Sequence, residues 1–190
     1  VGSAITVSAS ASDNVAVVGV QFKLDGANLG SEDTSAPYSI TWDSTTAAGG
    51  AHTITAVARD AAGNSTTATG IPVTVDNAAP TGSITAPANA ATVSGTTVAV
   101  TANASDNIAV IGVQFKLDGA NLDSEDTSAP YAITWDTITT TNGSHTLTAV
   151  ARDAAGNSTT STGISVTVNN DLTAPTDSVT APTSGATIVG

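Results

Sequence analysis

The sequence predicts an all-β chain made of two antiparallel two-sheet sandwiches in tandem. Three observations carry this: a near-perfect internal repeat, short runs with period-two apolar alternation, and turn residues between those runs. Sliding the chain by 93 residues lays "ASDNVAVVGVQFKLDGANLGSEDTSAPYSITWD" (11–43) on "ASDNIAVIGVQFKLDGANLDSEDTSAPYAITWD" (104–136) without a gap. The same shift lays "HTITAVARDAAGNSTT" (52–67) on "HTLTAVARDAAGNSTT" (145–160).

Length changes only in the connectors, where "VDNAAPT" (75–81) becomes "VNNDLTAPT" (168–176), two residues longer. Insertions are tolerated in linkers, so boundaries are expected there. The predicted units are 1–77, lacking its own first strand, and 78–170; residues 171–190 form the first-strand region of a following unit or a donor strand. Gly2, Gly95 and Gly190 share one phase, so the sequence spans two full periods, and with neither a signal peptide nor any methionine Val1 is expected not to be a natural start. Two readings of the tail "TDSVTAPTSGATIVG" (176–190) stand open. It belongs to a longer array, or it completes another copy of the chain by strand addition over 174–190.

Within one unit the runs follow in order: Ile5, Val7, Ala9 and Ala11; Val18, Val20, Phe22 and Leu24; Tyr38, Ile40 and Trp42; Ile54, Ala56 and Ala58; Ile71, Val73 and Val75. Each has one apolar and one polar face, as a half-buried strand requires. "DGAN" (25–28) suits a tight hairpin, "AAGG" (47–50) a looser loop and "AAGN" (61–64) another hairpin. Pro37 forces an extended entry to the Tyr38 strand. With "GSITAP" (82–87) as a first strand, a unit of about 95 residues holds about seven strands. No stretch reads convincingly as a helix.

The string "VQFKLDGANLG…APYSITWD…GGAHTITAVARDAAGNSTT" resembles the bacterial immunoglobulin-like domains that occur as tandem repeats in large surface adhesins and beside catalytic domains in secreted polysaccharide hydrolases. Both units match over nearly their whole length. The resemblance implies tandem immunoglobulin-like or fibronectin-like β-sandwiches and an extracellular, architectural role. It supplies no catalytic residues.

Composition narrows the function classes. Sixteen Asp and Glu against four Lys and Arg give a net charge of -12, which repels phosphate backbones and anionic membrane surfaces, so nucleic acid is not an expected partner. No apolar run approaches the roughly 18–20 residues that span a bilayer, and membrane insertion is not expected. The absence of cysteine removes thiolate chemistry without fixing a compartment.

Phe22, Tyr38, Trp42, Phe115, Tyr131 and Trp135, the six aromatics, sit on the inward parity of their strands and are predicted to be core rather than sugar-stacking platforms. His52 and His145 have no partner at a ligand or catalytic spacing and are read as strand-edge residues, while Lys23 and Lys116 alternate with core positions and should face solvent. If strands simply alternate in direction, "SDN", "SEDTS" and "DAAGN" return to one pole beside the incoming linker. In the second unit this gathers Asp106, Asn107, Glu125, Asp126, Asp153 and Asn157 around Asp76 and Asn77. Two readings stand there. One is an interdomain calcium site from Asp76, Asn77, Asp106, Asn107, Asp153 and Asn157, with Asp13, Asn14, Asp60 and Asn64 equivalent in unit one. The other is turn chemistry alone, with Arg152 neutralising part of the acid.

The expected function is a non-catalytic spacer, stalk or fibre shaft of a large extracellular or cell-surface protein, contacting neighbouring repeats. The alternative is an accessory glycan- or protein-binding module of a secreted multidomain hydrolase. Asn64, Asn103, Asn142 and Asn157 begin Asn-X-Ser/Thr sequences that permit glycosylation.

Overall fold

A computed structural model describes residues 4–170, 173–182 and 184–188. The predicted runs fold as strands, except that Ala11 lies beyond the end of the first. The first unit contains β1 (Ala4–Ala9), β2 (Val17–Leu24), β3 (Ala27–Asn28), β4 (Tyr38–Asp43), β5 (Gly50–Asp60), β6 (Ser65–Thr67) and β7 (Ile71–Val75). The second contains β8 (Thr81–Ala86), β9 (Ala91–Val93), β10 (Val98–Ser105), β11 (Val110–Leu117), β12 (Ala120–Asn121), β13 (Tyr131–Trp135), β14 (Gly143–Asp153), β15 (Ser158–Thr160) and β16 (Ile164–Val168). The only helical elements among the described residues are one-turn 3-10 helices at Ser44–Thr46 and Thr137–Thr139, capped by the carboxylates of Asp43 and Asp136.

Each unit is a sandwich. In the first, β1 pairs with β4, and facing them β3-β2-β5 continues into β6 and β7, which both pair with β5. In the second, β8-β10-β13 faces β12-β11-β14-β16-β9, with β15 also on β14. The repeat extends to register: Phe22 lies opposite Ala56 as Phe115 lies opposite Ala149. Asp25 and Gly26 take positive φ (49° and 82°) in the β2–β3 hairpin, a turn their residue types favour.

One element differs from the sequence expectation. The first strand of the second unit is split: β8 runs antiparallel to β10 in one sheet, then the chain crosses at Pro87–Ala90 and β9 runs parallel to β16 in the other. One run of residues thus closes both sheets along one side.

The aromatic core follows the predicted parity. Phe22, Tyr38, Trp42, Phe115, Tyr131 and Trp135 are all buried. Around them in the second unit lie buried Val100, Val113, Leu147, Ala149, Ala151, Val166 and Val168. Removing such side chains from water is the main source of stability, about 1.5–3 kcal/mol for a fully buried side chain of Leu or Phe size.

Candidate functional site at the junction of the two sandwiches

The pole where β14 ends meets the connector from β7. There the chain brings together Asp76 from the connector, Asp106 from the β10–β11 turn and Asp153 at the end of β14, with a carboxylate oxygen of each within 4.8 Å of the others. Asp153 is buried at 1% exposure, and Asp76 and Asp106 are half-buried.

Local turn chemistry positions them. Asp153 Oδ1 accepts the Asn157 backbone N–H at 2.8 Å, closing the "DAAGN" turn, and Asp106 Oδ2 accepts the N–H of Ile108 at 2.9 Å. The Asn157 side-chain amide then reaches across the junction. Its Nδ2 donates to Asp153 Oδ2 at 2.8 Å and to the backbone carbonyls of Asp76 and Ala78 at 3.2 and 3.0 Å. Asn107 also faces this group: one amide orientation donates to Asp76 Oδ1 at 3.3 Å, the other to both Asp106 oxygens at 3.2 and 3.1 Å.

Asn77 is placed elsewhere. It turns back to the first unit, where its Nδ2 donates to the carbonyls of Ser44 and Ala47 at 3.1 and 3.2 Å. The connector is therefore held from both sides, by Asn77 to one sandwich and by Asn157 to the other.

The "SEDTS" loops do not join the cluster. Glu125 forms a two-point ion pair with Arg152, whose Nη2 lies 2.6 Å from Oε2 and whose Nε meets Oε1. The guanidinium holds the Glu125 carboxyl below the usual glutamate range. Asp126 caps its own loop by accepting the N–H groups of Ser128 and Ala132. Arg152 is thus committed to Glu125 as Arg59 is to Glu32, and Lys23 and Lys116 donate to Asn28 and Asn121. All four Lys and Arg of the chain have partners away from the three junction carboxylates.

In unit one, Asp60 accepts from Asn64 N at 2.9 Å and Asn64 Nδ2 at 2.7 Å, which lowers its carboxyl below the usual range. Asp13 accepts from Val15 N, with Asn14 beside it. Among the described residues no third carboxylate joins Asp13 and Asp60 as Asp76 joins Asp106 and Asp153.

The histidines have a definite structural place that spacing did not reveal. His145 Nδ1 meets Asp118 Oδ2 at 2.6 Å and its Nε2 meets the Thr141 carbonyl at 2.8 Å. Both partners are acceptors, so the ring satisfies both only as the imidazolium, and the bond to Asp118 raises its pKa. His52 repeats this with Asp25 and the Ala48 carbonyl. Each histidine clamps the start of its long strand to the neighbouring hairpin turn.

A family model described as "Bacterial Ig domain" matches residues 1–56 and 80–149, and one described as "Bacterial Ig-like domain (group 3)" matches residues 129–190. Among solved structures, the fibronectin(III)-like modules of Clostridium thermocellum CbhA are similar at 28% identity and a TM-score of 0.55, over 89% of this chain and 87% of that one. An endo-beta-1,4-mannanase from Thermotoga petrophila matches at 20% identity and a TM-score of 0.43, over 50% of this chain and 21% of that one. A 1.5-MDa bacterial ice-binding adhesin matches at 15% identity and a TM-score of 0.48, over 89% of this chain and 59% of that one. None of the curated proteins matches. With a family model matched across both repeats of a chain that folds as two β-sandwiches, this chain belongs to the bacterial Ig domain family.

Proposed function

We propose that the chain is a non-catalytic spacer, a stalk or shaft repeat of a large extracellular or cell-surface protein, which sets the distance and orientation between its neighbours. The observation that supports this most is the connector, whose Asn77 is bound to one sandwich and whose carbonyls at Asp76 and Ala78 are bound by Asn157 of the next. A connector fixed at both ends transmits orientation from unit to unit, which a flexible linker does not. No helix among the described residues is long and apolar enough to cross a membrane. The high negative charge keeps copies apart and extended.

Small-angle X-ray scattering of the chain tests this. The wild type should give one rod-like particle, and Asn77→Ala with Asn157→Ala should broaden the distance distribution. A wild-type profile already as broad as the double variant's would overturn the reading. An accessory binding role would instead show as selective capture on a glycan array, where the spacer reading expects none.

We propose further that the junction takes a hard divalent cation such as calcium. The donor set is oxygen-only, three carboxylates with main-chain carbonyls alongside, and a cation would replace their mutual repulsion by attraction. Adding calcium should raise the melting temperature of the wild type but not of Asp153→Asn with Asp106→Asn. Equal melts with calcium and with chelator would rule the cation out.

A further inference from the structure

In the second sandwich β8 begins at the junction, because Thr81 lies opposite Ser105 and the next residue, Asp106, belongs to the carboxylate cluster. β16 ends at the other pole, where Val168 lies opposite Gly143 at the start of β14. The 11 residues of β14 separate these poles by roughly 35 Å. A pull along the chain therefore enters at β8 and leaves at β16, from opposite ends of the unit.

Both halves of the split strand meet that pull lengthwise. β8 is drawn along β10, its antiparallel neighbour, and β9 along β16, to which it is parallel. Since β9 and β16 run the same way and are pulled in opposite directions, they must slide past each other rather than separate. Inter-strand hydrogen bonds lie across the strands, so sliding strains every bond of a pair together, whereas peeling breaks them one at a time from an end. The crossing at Pro87–Ala90 puts one such joint in each sheet, so neither sheet carries the load alone.

Hydrogen bonds outside the ladders extend both joints. β9 alone pairs three residues with β16, Ala91 to Val93 against Val166 to Val168. Beyond its start, the Ser165 N–H donates to Asn89 Oδ1 at 2.9 Å and the Ala90 N–H to the Ser165 carbonyl at 2.7 Å. Beyond its end, the Asn169 N–H donates to the Val93 carbonyl at 3.1 Å. The bonded stretch thus runs from residue 89 to residue 93, against 165 to 169. Along β8, Thr81 Oγ1 lies 2.9 Å from Ser105 Oγ and Thr85 Oγ1 lies 2.6 Å from Thr101 Oγ1, which ties both ends of that strand to β10. Ile84 of β8 and Val93 of β9 also pack on the core, so sliding either strand drags an apolar side chain out of its place.

We propose that the split first strand is the load-bearing joint of the second sandwich, holding tension along the chain in shear through β8 on β10 and β9 on β16, with Asn89 as the side chain that extends the second pair. The shaft reading supplies the reason for a load, and the inference rests on it to that extent. Resistance to force is set by the height of the unfolding barrier, which this arrangement raises for one direction of pull.

Single-molecule pulling of the 190-residue chain at constant force tests it, and because the chain has no cysteine, handles attach only where cysteines are introduced. Ala79→Cys with Asn169→Cys, both exposed, loads the two strands lengthwise. Thr96→Cys with Asn169→Cys places both handles at the far pole, where the Gly95 N–H faces Asn170 Oδ1, and peels β9 from β16. At equal force the lengthwise pull should unfold the second unit at least about tenfold more slowly than the peeling pull, since several bonds must fail together. Asn89→Ala, at an exposed position, should speed lengthwise unfolding about fivefold and leave peeling little changed, because peeling from the far pole reaches that bond last. Equal rates in the two directions, or an equal effect of Asn89→Ala on both, would overturn the proposal. The handles supply the load themselves, so either result would leave the scattering test of the shaft standing.

Discussion

The two sandwiches share nearly one sequence from "ASDN" to "NSTT", yet they bury it differently. Leu147, Ala149, Ala151 and Val166 of the second unit are at most 1% exposed, while Ile54, Ala56, Ala58 and Val73, at the same phase in the first, are only half-buried. The side chains scarcely change; what changes is the covering strand. Ile84 and Val93 from β8 and β9 pack against the second core, and the first has no counterpart of them in place. Burial in this fold is a property of closure along that side as much as of apolar pattern, because a side chain facing an open groove still meets water.

The sharpest way to break the comparison is a matched pair of truncations. Leu147→Ala should cost about 2–5 kcal/mol of stability in its unit, and Ile54→Ala about half as much, read by denaturant unfolding. Equal costs would mean that the open side is not felt by the first core. A smaller effect separates the two tryptophans. Trp135 Nε1 donates to Thr140 Oγ1 at 3.2 Å, but the residue at that phase in unit one is Ala47, which has no hydroxyl. Thr140→Ala should destabilise the second unit by about 0.5–1.5 kcal/mol, and Ala47→Thr should stabilise the first by a similar amount.

The smallest expected effect is a pH dependence the units share. His145 has its pKa raised above 6.5 by the bond to Asp118, and the Asp118 carboxyl is lowered below 3.8 by the Thr146 N–H and then by His145. A raised histidine stabilises fully below its unfolded value and loses that contribution as pH rises through its folded value; a lowered aspartate stabilises above its unfolded value and loses that as pH falls through its folded one. The pair therefore contributes most between 3.8 and 6.5. Melting curves of the wild type should fall relative to those of His145→Asn as pH rises above that window, and parallel curves would show that the clamp carries no linkage.

The fold was legible because alternation, turn residues and the repeat all pointed to the same structure. The long runs from Val18 and Tyr38, the hairpin at "DGAN" and the aromatic core lie where their pattern placed them. The split of the first strand was not legible: "ATV" at β9 is too short to show a period, and its parallel partner β16 is more than seventy residues away. At the junction, equal alternation of strand direction gathered Asp76, Asp106 and Asp153, whose carboxylates come together, with Glu125, Asp126 and Asn77, whose side chains take other partners. Glu125 is drawn to Arg152, Asp126 to its own loop, and Asn77 to carbonyls of the preceding sandwich. These are choices between partners of equal chemical type, which side-chain chemistry alone does not rank. The histidine clamps were missed because their partners lie 27 residues away and only the hairpin turn brings them near.

Hydrogen exchange read by mass spectrometry tests most directly whether one covering segment makes the difference between the two cores. The account predicts that amides of β14 exchange more slowly than those of β5 at matched sequence positions, and that fusing residues 79–93 ahead of Val1 slows β5 to the rate of β14. Equal protection of β5 and β14 before that fusion would contradict it.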